Sequence, residues 1–88
     1  MQKKMNDLIE NIEKLHTTEM GVERIRKNLS IETDDVVQWC KLKILQASTS
    51  IEKKGKNWYA AAEDFVITIN AHSYTIITAH KKRNHVTI

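Results

Sequence analysis

Phe65-Val66-Ile67-Thr68-Ile69-Asn70-Ala71-His72-Ser73-Tyr74-Thr75-Ile76-Ile77-Thr78-Ala79-His80 decides how the rest of the chain is read. β-Branched residues crowd both arms of this stretch, and a short polar segment separates them, the pattern of an antiparallel hairpin. Side chains alternate between the two faces of a strand, so the parity of the connecting loop fixes which residues share a face. An odd loop at Ala71–Ser73 separates oily from polar residues most completely. It places Ile77 and Ala79 with Phe65, Ile67 and Ile69 on a core face. It leaves Tyr74, Thr78 and His80 beside Thr68 and Asn70 on a polar one.

Two more strands precede the hairpin. Ser50-Ile51-Glu52-Lys53 is a candidate strand, Lys54-Gly55-Lys56 its turn, and Asn57 to Ala62 the next strand. The glycine supplies a left-handed turn conformation at little cost. A short even turn at Glu63-Asp64 puts Trp58, Ala60 and Ala62 on the core face and Asn57 and Tyr59 on the polar face. Before residue 49 the period is helical. Met5, Leu8, Ile9, Ile12 and Leu15 form the stripe of a first amphipathic helix. Thr17 or Thr18 caps a second helix, buried along Val22, Ile25 and Leu29. Thr33 or Asp34 caps a third, with Val36 or Val37, Cys40, Ile44 and Ala47 inward. The expectation is a single α+β domain over residues 1–88. Three helices (about 2–47) pack on one face of a four-stranded antiparallel meander (about 49–82).

The chain has 88 residues and a net charge of +3, with only two Gly and no Pro. That suits one small domain without a linker. The charge is unevenly placed. Residues 1–40 carry six Lys/Arg against eight Asp/Glu, and residues 41–88 carry eight against three. Excess positive charge thus travels with the strands and favours anionic partners there. No apolar run is long enough to cross a bilayer, and the N-terminal residues lack the apolar region of a leader, so a cytoplasmic protein is expected. The single cysteine, Cys40, sits among Val36, Val37 and Trp39 and reads as a small buried hydrophobe.

The polar sheet face is where chemistry is expected. Histidine is the side chain whose unperturbed pKa suits proton transfer near neutral pH, so His80 is the candidate general acid or base, with Thr78 and Tyr74 as catalytic companions. Asn57, Tyr59, Asn70 and His72 are candidate substrate-binding groups, and Lys81, Lys82 and Arg83 would stabilise charge on phosphorus. RNA or a nucleotide is the partner this set suits, and metal-independent RNA cleavage is the reaction it suggests. Each residue also has a plain explanation, since Thr and Tyr are common in strands and a basic run is often only solvated. His72 and His80 find no third ligand for zinc. Gly21 and Gly55 are isolated, so no phosphate loop exists and no cofactor is expected. Two alternatives stand beside RNA. One is a non-catalytic module, such as a regulatory or phage-encoded inhibitor, binding a protein or small ligand. The other is a helix-turn-helix over Leu29 to Trp39, against which Glu32, Asp34 and Asp35 would repel phosphates.

Four segments carry a resemblance to a known family: Glu13 to Glu19, Asp34 to Lys41, Gly55 to Tyr59, and Ile69 to Lys81. Together they resemble a family of small bacterial proteins, found largely in Firmicutes, defined as a domain of unknown function. That likeness spans nearly the whole chain and implies no activity. At Ala60 and Ala62 it leads one to expect β-branched residues instead. Helices followed by a meander ending in Thr78-Ala79-His80 are also similar in layout to the barnase/colicin/RelE group of small ribonucleases and toxins. In that group the catalytic side chains project from the sheet face opposite the helices. The likeness implies a ribonuclease-like site here, without a counterpart to the barnase glutamate.

Overall fold

A computed structural model describes residues 7–33, 35–46, 49–62 and 64–82. It has the expected α+β layout. A helical turn α1 (Asp7–Glu10), a 3-10 turn (Ile12–Lys14), α2 (Glu19–Leu29) and α3 (Val36–Leu45) precede β1 (Ser50–Lys54), β2 (Asn57–Ala61), β3 (Phe65–Asn70) and β4 (Ile76–Lys81). The strands form one antiparallel meander in the order β1-β2-β3-β4.

The first helix ends sooner than its stripe predicts, at Glu10. Asn11 donates both its backbone N–H and its Nδ2 to the Asp7 carbonyl (3.0 and 2.9 Å), closing the turn. Leu15 is then extended. Met5, Asp34, Ala47 and Ser48 lie outside the described residues. Thr18 caps α2, accepting from the Gly21 N–H at 3.0 Å. Asp35, not Thr33, has its side chain on the first turn of α3, accepting from the Gln38 N–H at 3.0 Å. Thr33 accepts from the Asp35 N–H instead. Between α2 and α3 the chain reverses through Ser30, whose φ of 56° is left-handed.

Leu8, Leu15, Ile25, Leu29, Val36, Cys40 and Ile44 meet Trp58, Ala60, Ile67, Ile69, Ile76 and Ala79 in one core. In the sheet, Ile67 pairs with Ala60 on one side and Ala79 on the other. All three are fully buried. Flanking an isoleucine with two alanines keeps the middle of the sheet thin, so α2 packs closely over β4. The alanines that interrupt the β-branched pattern are therefore packing residues, and strand propensity yields to the space the helices need. At the edge of the core Trp39 of α3 meets Phe65 with ring centroids 5.1 Å apart.

The β3–β4 hairpin corrects the expected loop. Asn70 donates its N–H to the Thr75 carbonyl, and Tyr74 its N–H to the Asn70 carbonyl, both at 2.8 Å. The loop proper is thus the four residues Ala71 to Tyr74, an even number, with Tyr74 left-handed at φ 62°. Ile69 then faces Ile76, but Thr68 faces Thr78. One extra residue, Ile77, is a β-bulge in β4. The consequence is that Ile76 is in the core and Ile77 is 39% exposed, the reverse of the expectation for Ile77. Beyond the bulge the alternation is restored, and Thr78 and His80 lie opposite the core after all.

The outer edge of β4 is covered by the N-terminal segment. His16 donates its N–H to the Tyr74 carbonyl (3.2 Å) and accepts from the Ile76 N–H (2.7 Å), a parallel bridge. The Thr17 hydroxyl donates to the Ile76 carbonyl at 2.9 Å, and Asn28 Nδ2 to the Ala79 carbonyl at 3.2 Å. Few edge groups of β4 are left to recruit another strand. Gly21 makes this closure fit, because a Cβ there would collide with Thr17 Oγ1. Gly21→Ala, which would gain about 1 kcal/mol in an open helix, is expected to cost about 1–3 kcal/mol here by overpacking, read from denaturant melts. Burial pushes the Cys40 thiol up to about 12. Cys40 is therefore expected to resist a disulfide reagent at mildly alkaline pH until the protein is unfolded, as the thiolate is the reacting form. Rapid native-state labelling would contradict its placement.

Candidate nucleic-acid interface

With all the buried aliphatic side chains of the sheet on one side, no helix among the described residues covers the opposite face. Asn57, Tyr59 and Ala61 of β2, Val66, Thr68 and Asn70 of β3, and Thr78 and His80 of β4 share it by alternation. Glu52 and Lys54 contribute from β1. Cross-strand pairing arranges these residues in rows. One row runs Glu52–Tyr59–Thr68–Thr78, and the next runs Lys54–Asn57–Asn70. Thr68 in the centre is almost covered by its neighbours, while Tyr59 and Thr78 on either side of it are half-buried and His80 is exposed. Asn57 Nδ2 reaches Tyr59 Oη at 3.5 Å, at the limit of hydrogen bonding.

Five of the expected site residues therefore share one face: Asn57, Tyr59, Asn70, Thr78 and His80. Tyr74 does not. Its ring lies 5.3 Å from that of Trp58, which is in the core, and Lys14 Nζ sits over it at 5.5 Å. The four-residue loop ends on a left-handed Tyr74 that turns the ring to the helix side, so it cannot act with Thr78 and His80. His72 belongs to the loop at one end of the hairpin. His80, opposite Val66, is nearer the other end, about 14 Å away along the strand at ~3.4 Å per residue. Lys81 and Lys82 are exposed at His80's end, where the Lys82 N–H donates to the Asp64 carbonyl at 2.8 Å. Arg83 lies outside the described residues. Among the described residues no group of His, Cys, Asp and Glu is placed to hold a metal ion. No helix among them is long and apolar enough to cross a membrane.

The Ala71–Tyr74 loop is built by Asn70. Its Oδ1 accepts from the His72 and Ser73 N–H groups (both 2.9 Å) and from Ser73 Oγ (3.2 Å), an Asx-turn arrangement. Ser73 Oγ is also 2.7 Å from Thr75 Oγ1, which is 3.0 Å from His16 Nε2. His16 Nδ1 is 2.9 Å from the Lys14 carbonyl, which can only accept, so Nδ1 carries a proton. Each hydroxyl has one hydrogen, so in the neutral ring, where Nε2 accepts from the Thr75 hydroxyl, the Ser73 hydroxyl hydrogen is shared between Thr75 Oγ1 and Asn70 Oδ1. This His16–Thr75–Ser73–Asn70 chain joins the N-terminal segment to the loop. Sequence reasoning missed it because His16 and Thr75 are 59 positions apart.

A groove opens at the same end of the sheet, lined by Lys53, Gly55, Lys56, Asn70, Ala71 and His72. Gly55 and Lys56 form a two-residue turn with positive φ at Gly55 alone, the pattern of a II′ hairpin. The Ala71 N–H donates to the Lys56 carbonyl at 2.8 Å and fixes the two turns side by side. Lys53, Lys54 and Lys56 stand close together in the sequence, where their spacing predicts only a strand end and a turn.

Truncating Asn70 is expected to show how far its side chain builds this end. Asn70→Ala should cost about 1–2 kcal/mol, since three hydrogen bonds lose their acceptor on a largely solvated loop, while Asn70→Asp should cost less than half of that. Equal losses in thermal melts would contradict the acceptor role.

No curated protein and no solved structure matches the chain. The profile of one family does match, over residues 9–80, from the first helical turn to the end of β4. The chain belongs to that family, DUF3781, described as a protein of unknown function.

Proposed function

We propose that this is a cytoplasmic protein whose open sheet face binds single-stranded RNA. The observation that carries this is the Tyr59–Thr68–Thr78 row, an aromatic and two hydroxyl residues side by side on a sheet face that no described helix covers. Unstacked bases bind such a surface by lying on aromatic rings while their edges and the ribose 2′-hydroxyl meet short polar side chains. Asn57, Asn70 and Thr78 supply those uncharged groups. Lys54 toward one end and Lys82 beyond His80 at the other give the backbone a cationic track. Glu52 is the one carboxylate that strand alternation places on this face among the described residues, and it stands on the outermost strand.

Binding, and not cleavage, is the part of the ribonuclease expectation retained here. Acid–base cleavage needs a second proton-transferring group beside His80. Tyr74 is on the other side of the sheet, and no described residue hydrogen-bonds the His80 ring. The outward side of α3 gives the interaction-module alternative its specific support, because Leu42 and Leu45 are 56% and 49% exposed there. Those leucines face away from the core, so a partner held by them would leave the open sheet face free. The same exposed side offers Gln38, Leu42 and Leu45 where a DNA-reading helix would need cations.

Fluorescence anisotropy with a short oligoribonucleotide tests the proposal. Affinity is expected to fall steeply with added salt. Tyr59→Ala should weaken binding at least about fivefold, the low end of the ~1–3 kcal/mol of a stacked base. Tyr74→Ala and Leu42→Lys should leave it unchanged, and the RNA should be recovered uncut in chelator. Undiminished binding by Tyr59→Ala, or equal affinity for duplex DNA, would sink the assignment.

A further inference from the structure

We propose that the groove between the β1–β2 turn and the β3–β4 loop is a terminal-phosphate site, taking the phosphate monoester at the end of an RNA strand; this rests on RNA binding at the open face. Its lining supplies donors and no carboxylate: Lys53, Lys56, His72 and the amide end of Asn70. The polarity of Asn70 is set by the loop itself. Its Oδ1 is occupied by two backbone N–H groups and the Ser73 hydroxyl, and its Nδ2 bonds no described residue. The end of the side chain left over is a donor.

Space and rigidity agree with an anion there. A Cβ at Gly55 would meet nothing within 4 Å, so a ligand can come close to the turn backbone. The bond from the Ala71 N–H to the Lys56 carbonyl holds the two walls in register, and little ordering is left for a ligand to impose. The groove shares Asn70 with the end of the row Lys54–Asn57–Asn70, so a strand running off the open face there passes it, while Lys53, paired with Trp58, reaches it from the helix side of the sheet. An internal phosphodiester carries one charge, whereas a terminal monoester carries about −1.5 to −2 and three free oxygens. Two ammonium groups, an imidazole and an amide suit the second better than the first.

Three versions of one oligoribonucleotide test this, with a 5′-phosphate, a 3′-phosphate or hydroxyl at both ends, measured by anisotropy. One phosphorylated form is expected to bind about tenfold more tightly than the hydroxyl form, the scale of one added charge-assisted contact. Inorganic phosphate should reduce that advantage. Lys56→Gln, at an exposed turn position with its fold checked by thermal melt, should abolish the preference and leave hydroxyl-ended RNA bound within about twofold. Equal binding of all three forms, or a preference that survives in the Lys53→Gln, Lys56→Gln double variant, would overturn the site while leaving RNA binding intact. Binding of phosphorylated RNA alone would support the groove and refute the stacking face. Binding of none would refute both.

Discussion

A single inserted residue, Ile77, sets the chemistry of both faces of this sheet. The four-residue loop Ala71–Tyr74 closes on Asn70 and Thr75, and its parity alone would carry Thr78 and His80 into the core. The bulge between the Ile69–Ile76 and Thr68–Thr78 pairs resets the alternation. Ile76 therefore stays under the helices, and the polar residues beyond it emerge on the far side. The conflict between a loop that builds well and a strand pattern that must be kept is resolved at the cost of one exposed isoleucine. The parallel bridge from His16 holds the Tyr74 carbonyl and the Ile76 N–H on either side of Thr75, so the irregular start of β4 is supported where it departs from the ladder.

Much of this fold is legible where an element has a strong local period. The α2 stripe, the even turn before Phe65 and the inward set Ile67, Ile69 and Ala79 follow directly from spacing. The bulge was not legible, since Ile76-Ile77 offers two equivalent side chains and only the loop geometry decides which goes inward. Thr78 and His80 lie on the polar face as the odd loop predicts, but by a different route. An odd loop and an even loop with a bulge give the same parity four residues later. Tyr74 shows where the two differ, because it lies before the bulge and takes the opposite face. The break after α1 was also hidden, since the apolar stripe continues through Ile12 and Leu15 while Asn11 ends the helix with its own side chain.

The charge asymmetry was plain in the sequence, but its meaning depended on topology. A meander brings the β1–β2 turn beside the β3–β4 loop, so Lys53 and Lys56 meet Asn70 and His72 across 14 to 19 positions of chain. The basic run at Lys81 and Lys82, more conspicuous by eye, lies at the opposite end of the strands. Positive charge thus brackets the open face instead of concentrating beside His80. That arrangement suits an extended polyanion better than a compact catalytic pocket.

The two edges of the sheet are treated differently, and the difference separates structural lysines from the rest. The β4 edge is closed by chain, through His16, Thr17 and Asn28. The β1 edge is not closed by any described segment, and Glu52, Lys53 and Lys54 stand on it. Charged side chains, lysine above all, are the usual means of keeping an exposed edge from pairing with another chain. Lys53 and Lys54 therefore have a sufficient structural reason to be cationic whatever the protein binds. Lys56 has none of that kind. It sits in the turn beyond the ladder, and only its backbone is used, as acceptor for Ala71. Among the cations of the groove it is the one whose charge the fold does not require, and so the one whose charge speaks most directly for a ligand.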